Sequence, residues 1–231
     1  MNAPAKTRRA GAEAAPALSR EGIVDAALAL TDEAGLDALS TRKIASRLGC
    51  EAMSIYHHFP SKRHLLDAMV DRALLSLEMP PEDMAPIDRL RFTLHSYRDM
   101  AHRHAALYPL IAVHRLNTPT GVRMIEGFIG MVADVVPDVE LAARHFRTLG
   151  YYITGAALDE TAGYARGPSA AEPVDASFIA EHCPRLAASA PYFQAAHWQV
   201  TFELGLEALL DRVQADAATH AAEGSGRRAR A

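Results

Sequence analysis

Apolar positions in this chain recur every three or four residues over most of its length. The first such stripe comprises Ile23, Ala26, Ala27, Leu30 and Ala34, and similar stripes follow as far as residue 213. This spacing is typical of amphipathic helices, whereas a half-buried strand alternates apolar and polar residues, and no stretch does so. The pattern therefore predicts an all-α fold.

Two short helices joined by a tight turn are predicted within residues 40–62, STRKIASRLGCEAMSIYHHFPSK. Ser40 can cap the first helix, because its side-chain oxygen can accept a hydrogen bond from an unpaired backbone N–H. Gly49 suits the left-handed residue that ends such a helix. The second helix, about 51–58, must stop before Pro60, since proline cannot continue a helix and restricts the residue before it.

Serines also mark the starts of the helices on either side of this pair. Ser19 precedes the stripe that begins at Ile23, and Ser61 precedes an apolar stripe that ends near Leu77, before Pro80-Pro81. We expect the first helix to cover the short pair and the fourth to lead away from it. The front of the chain is therefore predicted to be a three-helix unit followed by a connecting helix.

The second helix of the pair is more polar than a core helix needs to be. Ala52 and Ile55 can pack inward, and the remaining positions are Met53, Ser54, Tyr56, His57 and His58. Hydroxyls, imidazoles and an aromatic ring suit contact with phosphates and base edges in a major groove, which is wide enough to admit a helix. Two alternatives stay open: Met53 as a core residue, and the two histidines as metal ligands, although adjacent helical positions point about 100° apart.

The segment ALSTRKIASRLGCEAMSIYHHFPSKRHLLDAM resembles the DNA-binding domain of the TetR family of bacterial transcriptional repressors. The shared features are a helix-turn-helix ending in a tyrosine, an aromatic-Pro-Ser-Lys turn and an apolar fourth helix. Farther on, GYYITGAALDET and FELGLEALLD resemble, more weakly, the ligand-binding and dimerisation region of the tetracycline repressor subgroup. The resemblance implies an N-terminal three-helix helix-turn-helix domain joined by a connecting helix to a helical ligand-binding and dimerisation domain.

The resemblance also implies roles for individual residues. Arg42 matches a position that can reach guanine. The residues that match phosphate-contacting positions are Ser40, Thr41, Tyr56, His58 and Lys62, and those that match base-contacting positions are Ala52, Met53, Ser54 and His57. The base-contacting positions differ from those of the tetracycline repressor, so its operator is not assumed. For Tyr56 and Lys62 a purely structural role is the alternative.

Polar side chains dispersed among the later apolar helices are the candidate lining of a ligand site. They are His95, Tyr97, His114, Tyr151, Tyr152, Thr154 and Asp159. By resemblance, Tyr151 lies near a ligand-contacting position and Asp159 or Glu160 near an acidic, metal-linked one. For each, a place in the core or on the solvated surface is the alternative. No metal or other cofactor is predicted.

The predicted helices at about 139–164 and 191–213 are the longest. The second is apolar on two sides, one formed by Phe193, Val200 and Leu204 and the other by Phe202, Leu206, Leu209 and Val213. A helix that is apolar on more than one face must be covered more than once, and Gly205 would permit a close helix approach. We interpret the two helices as half of a four-helix homodimer interface, with a buried monomer core as the alternative.

Charge is unevenly distributed along the 231 residues, whose formal net charge is −4. Residues 1–63 carry +2 and the remainder −6, so only the front of the chain is suited to a polyanion.

Neither an 18-residue apolar run nor a signal peptide is present, which predicts a cytoplasmic protein without a membrane partner. The predicted division is a disordered basic arm (1–17), a DNA-binding domain (18–79), a ligand-binding and dimerisation domain (82–214) and a disordered tail (215–231). The arm can add DNA contacts or be an irrelevant tail.

The sequence thus predicts a DNA-binding transcriptional regulator that responds to a small molecule. A repressor released from a palindromic operator by its effector is the expected form, with an activator left open. A helical-bundle enzyme is the alternative from another class, but the chain lacks a Gly-rich phosphate loop, G-x-S-x-G and H-E-x-x-H. A nonspecific architectural DNA-binding protein is a third possibility, although such proteins usually carry more positive charge.

Overall fold

The computed structural model describes residues 18–162 and 170–228, with side chains up to residue 222. All regular structure in those ranges is helical, which confirms the predicted all-α class. The helices are α1 (Arg20–Ala34), α2 (Thr41–Leu48), α3 (Ala52–His58), α4 (Lys62–Leu75), α5 (Pro86–Arg103), α6 (Tyr108–Val113), α7 (Pro119–Ala133), α8 (Val139–Ala162), α9 (Ala176–His182), α10 (Pro184–Ser189) and α11 (Trp198–Arg228). The predicted arm, residues 1–17, lies outside the described residues.

The predicted caps fix the ends of the first four helices. Ser19, Ser40 and Ser61 each accept a hydrogen bond from the backbone N–H three residues on, at 3.0, 3.3 and 3.4 Å. Gly49, with φ of +67°, ends α2 in the left-handed conformation that glycine adopts without a steric penalty. Local sequence therefore sets the length and the turn of the α2–α3 pair.

One apolar core holds α1 to α4 together and continues into α5 and α6. We call residues 18–79 the head and the described residues from 80 onward the body. Core residues of the head include Ile23, Ile44, Ile55, Phe59, Leu65 and Met69, all at most 2% exposed. The same cluster includes Met100, Leu107, Tyr108 and Ile111 of the body. α3 in the head and α6 in the body thus pack on one continuous core.

A second core lies wholly in the body, between α5, α7, α8 and α11. Its residues include Leu90, Val132, Leu149, Phe202 and Leu206. α8 and α11 meet closely where Tyr152 donates a hydrogen bond of 2.5 Å to the backbone oxygen of Phe202. A Cβ atom on Gly205 would lie 2.5 Å from the Tyr152 hydroxyl oxygen, so the predicted close approach at this glycine is present.

The last helix differs from its prediction at both ends. Residues 190–197 form two short 3₁₀ turns, and α11 begins at Trp198 rather than near residue 191. It then continues to Arg228, through most of the segment 215–231 that was predicted to be a disordered tail. Alanine has the highest helix propensity, and Ala217 packs against the body core, so the helix has no reason to end at Val213. No helix in the described ranges is both long and apolar enough to cross a bilayer.

Candidate DNA-binding face and ligand cavity

One side chain of α3 is fully buried and three are exposed. Ile55 is completely buried, whereas Met53 is 63% exposed and Tyr56 44% exposed. His57 is also exposed. Met53, Tyr56 and His57 lie three and four residues apart, so they share one outward face. The alternative of Met53 as a core residue is therefore wrong.

The other α3 candidates are half-buried. Ala52 packs against the head core, and Ser54 and His58 are partly covered. The backbone oxygen of His58 accepts a hydrogen bond of 2.6 Å from Arg20, whose guanidinium lies 4.1 Å from the Phe59 ring centroid. These contacts of Arg20 hold the C-terminal end of α3 against α1, and so fix the orientation of the exposed face of α3 relative to α1.

The start of α2 and the start of α4 flank this face. Ser40 and Arg42 are exposed and Thr41 is half-buried. Lys62 is exposed, and its ammonium group lies 3.5 Å from the backbone oxygen of Leu39. The side chain of Arg42 has no hydrogen bond or ion pair within the described part of the chain, so its guanidinium is available to an external partner.

Another arginine of the head, Arg47, forms an ion pair within the head. Arg47 donates two hydrogen bonds of 2.7 Å to Glu33, and these lower the pKa of the Glu33 carboxyl. The charge of Arg47 is thus largely neutralised within the head, unlike that of Arg42.

A cavity of about 730 Å³ opens in the body between α5, α6, α7 and α8. Its walls are mainly apolar, with residues that include Leu94, Ile111, Leu116, Phe128, Met131, Phe146 and Ile153. The polar side chains in the wall are Thr93, Tyr97, His114, Arg115, Arg147, Tyr151 and Thr154. Large apolar walls with a few polar groups are typical of sites for drug-sized molecules.

Four of the seven predicted ligand residues lie in this wall: Tyr97, His114, Tyr151 and Thr154. His95, Tyr152 and Asp159 do not line it. His95 and Tyr152 face α11 instead, where their rings pack against Phe202. Neighbouring helix positions point about 100° apart, so one residue of a pair can reach the cavity while the next faces another helix.

The prediction missed Thr93, Arg115 and Arg147. Arg147 donates a hydrogen bond of 3.2 Å to the Tyr151 hydroxyl and stacks over that ring, 4.7 Å from its centroid. The spacing of four residues between Arg147 and Tyr151 was a usable signal, because such residues are neighbours on a helix surface.

Tyr97 of the cavity wall packs against a second buried tyrosine, Tyr108. The Tyr97 and Tyr108 rings meet edge to face, with centroids 6.1 Å apart. Desolvation raises the pKa of Tyr97 and that of Tyr108 above the usual value for a phenol. Tyr97 therefore contributes an uncharged phenol to the cavity wall.

A buried ion pair that the sequence analysis did not predict lies between α5 and α8. Arg98 donates two hydrogen bonds to Glu160, at 2.8 and 3.0 Å, and only 9% and 5% of the two side chains are exposed. His102 approaches the same carboxylate at 2.7 Å, and Gln199 of α11 accepts from Arg98. Glu160 is therefore held by two residues of α5, Arg98 and His102.

Within the described ranges, no group of three or more His, Cys, Asp or Glu residues is placed to hold a metal ion.

Comparison with known proteins identifies the family. A family model for bacterial regulatory proteins of the tetR family matches residues 23–69, and one for the tetracyclin repressor-like C-terminal domain matches residues 80–216. The chain belongs to the TetR family. The first match contains α2 and α3, and the second contains the cavity.

Individual relatives agree with this assignment. The chain is 28% identical over 182 residues to the tetracycline repressor protein class A of Escherichia coli, a match that covers 78% of this chain and 83% of the relative. A possible TetR family transcriptional regulator from Streptomyces coelicolor has a TM-score of 0.69 and 26% identity, covering 85% of this chain and 99% of that one. ActR of the same organism, solved in complex with actinorhodin, has a TM-score of 0.68 and 28% identity, covering 87% and 98%.

The family assignment settles the class of protein. The chain is a ligand-responsive, DNA-binding transcriptional regulator of a dimeric family, and it is not an enzyme. The predictions of a helix-turn-helix regulator with DNA, a small molecule and a second copy as partners are confirmed at this level.

Proposed function

We propose that this regulator is a cytoplasmic repressor that holds a palindromic operator with two copies of α3 and leaves it when a molecule fills the body cavity. The observation that carries this proposal is the shared core: Ile55 of α3 and Ile111 of α6 belong to one cluster, and Ile111 also lines the cavity. Because packed cores switch between discrete arrangements, a ligand against α6 can change the position of α3.

The DNA contacts follow from exposure and chemistry. Met53, Tyr56 and His57 form the outward face of α3. The side chain of Arg42, at the start of α2, has no hydrogen bond or ion pair with any other described residue. We assign base contacts to Arg42, Met53 and His57. We assign phosphate contacts to Ser40, Thr41, Tyr56, His58 and Lys62, and minor packing contacts with bases to Ala52 and Ser54.

A second copy is the proposed occupant of the uncovered face of α11. Val200 and Leu204 are 70% and 76% exposed there, and they lie four residues apart on one side of the helix. The described residues 170–197 are likewise mostly exposed, among them Phe178, Tyr192 and Phe193. Exposed apolar side chains in such number are typical of a subunit interface. A dimer can place two copies of α3 about 34–36 Å apart, one turn of DNA.

The chemistry of the cavity indicates the class of effector. Aromatic and aliphatic walls favour a flat, mostly apolar molecule of drug size, and the hydroxyl, imidazole and guanidinium groups favour polar substituents on it. Structures of relatives were solved with actinorhodin and with minocycline. We therefore propose a polycyclic, hydroxylated effector.

The DNA part is tested with a duplex selected by the full-length protein from a random pool. Arg42→Ala should relax selectivity at one base pair, by about 1–3 kcal/mol. Lys62→Ala should weaken all duplexes similarly and reduce the slope of log affinity against log salt by about one. Equal affinity of the wild type for selected and random duplexes would instead indicate a nonspecific architectural binder.

The effector part is tested with 1,8-dihydroxyanthraquinone as the probe. Calorimetry should show that it binds the wild type, and that Gly150→Trp, which places a large ring in the cavity, weakens its binding at least about tenfold. Saturating probe should lower the affinity of the wild type for the selected duplex. Binding that Gly150→Trp leaves unchanged would place the probe elsewhere and contradict the proposal.

A further inference from the structure

The wall of the cavity carries positive charge that no acidic residue of the wall balances. Among the described residues that line it, two are arginines, Arg115 and Arg147, and none is an aspartate or a glutamate. The chain around the cavity has the opposite character, since the residues after 63 carry a formal net charge of −6. The cavity wall is therefore basic within a part of the chain that is acidic as a whole.

These two arginines also differ from other arginines of the body in having no carboxylate partner. Five arginines of the body lie 3.1 Å or less from an Asp or Glu oxygen: Arg89, Arg91, Arg98, Arg144 and Arg212. The Arg115 side chain has no hydrogen bond or ion pair with any other described residue. Within the same ranges, the Arg147 side chain donates one hydrogen bond, from Nε to the Tyr151 hydroxyl.

Both guanidinium groups lie where the cavity meets solvent. Arg115 comes two residues after the end of α6 and Arg147 belongs to α8, so they are on different walls. Each lines the cavity and is nevertheless exposed. The Tyr151 ring under the Arg147 guanidinium, 4.7 Å away, and the hydrogen bond from Nε hold that group in place and leave both Nη atoms available. Such a planar pair of N–H donors matches the two oxygens of a carboxylate.

The cavity thus combines an apolar interior with a cationic mouth. A ligand with an apolar ring system and one anionic group at its edge satisfies both features at once. Its charge would stay beside water at the mouth, so the desolvation penalty is smaller than for a charge buried inside.

We propose that Arg115 and Arg147 are specificity-determining residues that bind a carboxylate of the effector at the mouth of the cavity. This inference rests on the proposed function, because it assumes that the effector fills this cavity. It narrows the effector from a polycyclic, hydroxylated molecule to a polycyclic acid, with the rings inside and the carboxylate between the two arginines and solvent.

The charge preference is tested with a matched pair of probes, 1,8-dihydroxyanthraquinone-3-carboxylic acid and its methyl ester. Equilibrium dialysis against the full-length protein at about pH 7, where a carboxyl group is ionised, measures both affinities. The wild type should bind the acid about tenfold more tightly than the ester, as expected for hydrogen bonds to a charged group. Added sodium chloride should reduce this preference, because the contact is exposed to ions, and should leave the affinity for the ester unchanged.

Substitutions then assign the preference to the two arginines. Arg115→Met and Arg147→Met remove the charge and keep an unbranched side chain, and each should reduce the preference to about threefold if the two contribute equally. The double variant should bind acid and ester alike. Arg147→Lys keeps the charge without the planar pair of donors and should give an intermediate preference. Unchanged binding of the ester in every variant shows that the cavity is intact.

The chain offers a matched control one turn earlier on α8. Arg144 is exposed like Arg147, but it pairs with Glu140 and does not line the cavity. Arg144→Met should keep the wild-type preference for the acid. An equal loss in Arg144→Met and Arg147→Met would mean that the net charge of the protein, not a site, sets the preference. Equal binding of acid and ester by the wild type, or a preference that the double variant retains, would likewise overturn the proposal.

A second pair of probes separates this inference from the proposed class of effector. The fluorescent 8-anilinonaphthalene-1-sulfonate and its parent, N-phenyl-1-naphthylamine, differ only in an anionic group and carry no hydroxyl. Binding that Gly150→Trp weakens is binding in the cavity. There the wild type should prefer the sulfonate, and the double variant should not. If the anthraquinones fail to bind and this result is obtained, the hydroxylated class is wrong and the anion site stands. If cavity binding of both pairs is indifferent to the two arginines, or absent, the anion site is wrong, while 1,8-dihydroxyanthraquinone and the selected duplex still decide the proposed function.

Discussion

The head and the body are built from the same kind of element but hold their polar groups differently. In the head, each capping serine bonds to a residue three positions away, and the ion pair between Arg47 and Glu33 is largely exposed. In the body, Arg98 reaches a carboxylate 62 residues away and Arg91 one 116 residues away. Local sequence thus sets the helix ends of the head, where the longest polar contacts span 38 residues (Arg20 to His58) and 47 residues (Arg72 to Asp25), whereas the body depends on contacts between helices still farther apart in the chain.

This difference explains where each region carries its chemistry. A helix that must enter DNA keeps its polar side chains outside, so neighbouring residues suffice to define the site. A cavity for an apolar molecule needs walls from several helices, and its polar groups must be satisfied across them. Substitutions in the body are therefore expected to have larger effects on folding than those in the head.

The largest effect is expected from breaking the buried ion pair of the body. Glu160→Ala leaves the Arg98 guanidinium buried without its partner, which should lower the free energy of unfolding by about 3–5 kcal/mol. The control is Arg144→Ala, which removes an exposed pair with 72% and 73% exposed side chains and should cost about 0.5 kcal/mol or less. Urea unfolding at a fixed protein concentration measures both. Similar losses in the two variants would mean that burial does not distinguish the pairs.

The next effect concerns the contact of α8 with α11. Gly205→Ala places a methyl group against the Tyr152 hydroxyl and should destabilise the protein by about 1–3 kcal/mol, despite the higher helix propensity of alanine. Gly127→Ala on α7 meets no atom within 4 Å and should stabilise by up to about 1 kcal/mol. Thermal unfolding gives the sign of each change. If both substitutions stabilised the protein, the Tyr152 side chain would be able to move away from the added methyl group without a cost in stability.

A smaller effect is expected for a local bond of the head. Ser19→Ala removes the cap of α1 and should lower the free energy of unfolding by about 1 kcal/mol. Ser19→Asp keeps an acceptor for the same N–H and should retain most of the stability. A loss comparable to that of Glu160→Ala would contradict the view that the head depends on weak local bonds.

The smallest effect is a dependence on pH at the surface of the body. Arg91 donates hydrogen bonds of 2.7 and 2.9 Å to Glu207, which lower the pKa of that carboxyl. A carboxyl whose pKa is lowered by folding stabilises the fold above its unfolded pKa and loses that contribution as the pH falls through the folded value. Because Glu207 is 42% exposed, the difference in unfolding free energy between wild type and Glu207→Gln should be only about 0.2–1 kcal/mol at pH 7. This difference in unfolding free energy should shrink below about pH 4, where Glu207 becomes protonated. A difference that grows as the pH falls would contradict the prediction.

Much of the head could be predicted because its signals are close together in the sequence. Three serines, Gly49 and Pro60 set the helix ends, and Ile55 set which side of α3 faces inward. For the cavity, the sequence identified Tyr97, His114, Tyr151 and Thr154 but also selected His95, Tyr152 and Asp159. Periodicity shows that a helix has two faces without showing which neighbour each face meets.

By itself, the sequence determined the all-helical class, the positions of the first four helices and the family, because caps, turns and apolar spacing act over a few residues. Only the tertiary structure decided that Glu160 pairs with Arg98 and that α11 extends to Arg228. It alone placed His114 both in the cavity wall and within hydrogen-bond distance of Asp67. The two pairs are contacts between residues far apart in the chain, and the end of α11 depends on its packing against the body core. The packing of helices on one another decides all three, and no local pattern specifies it.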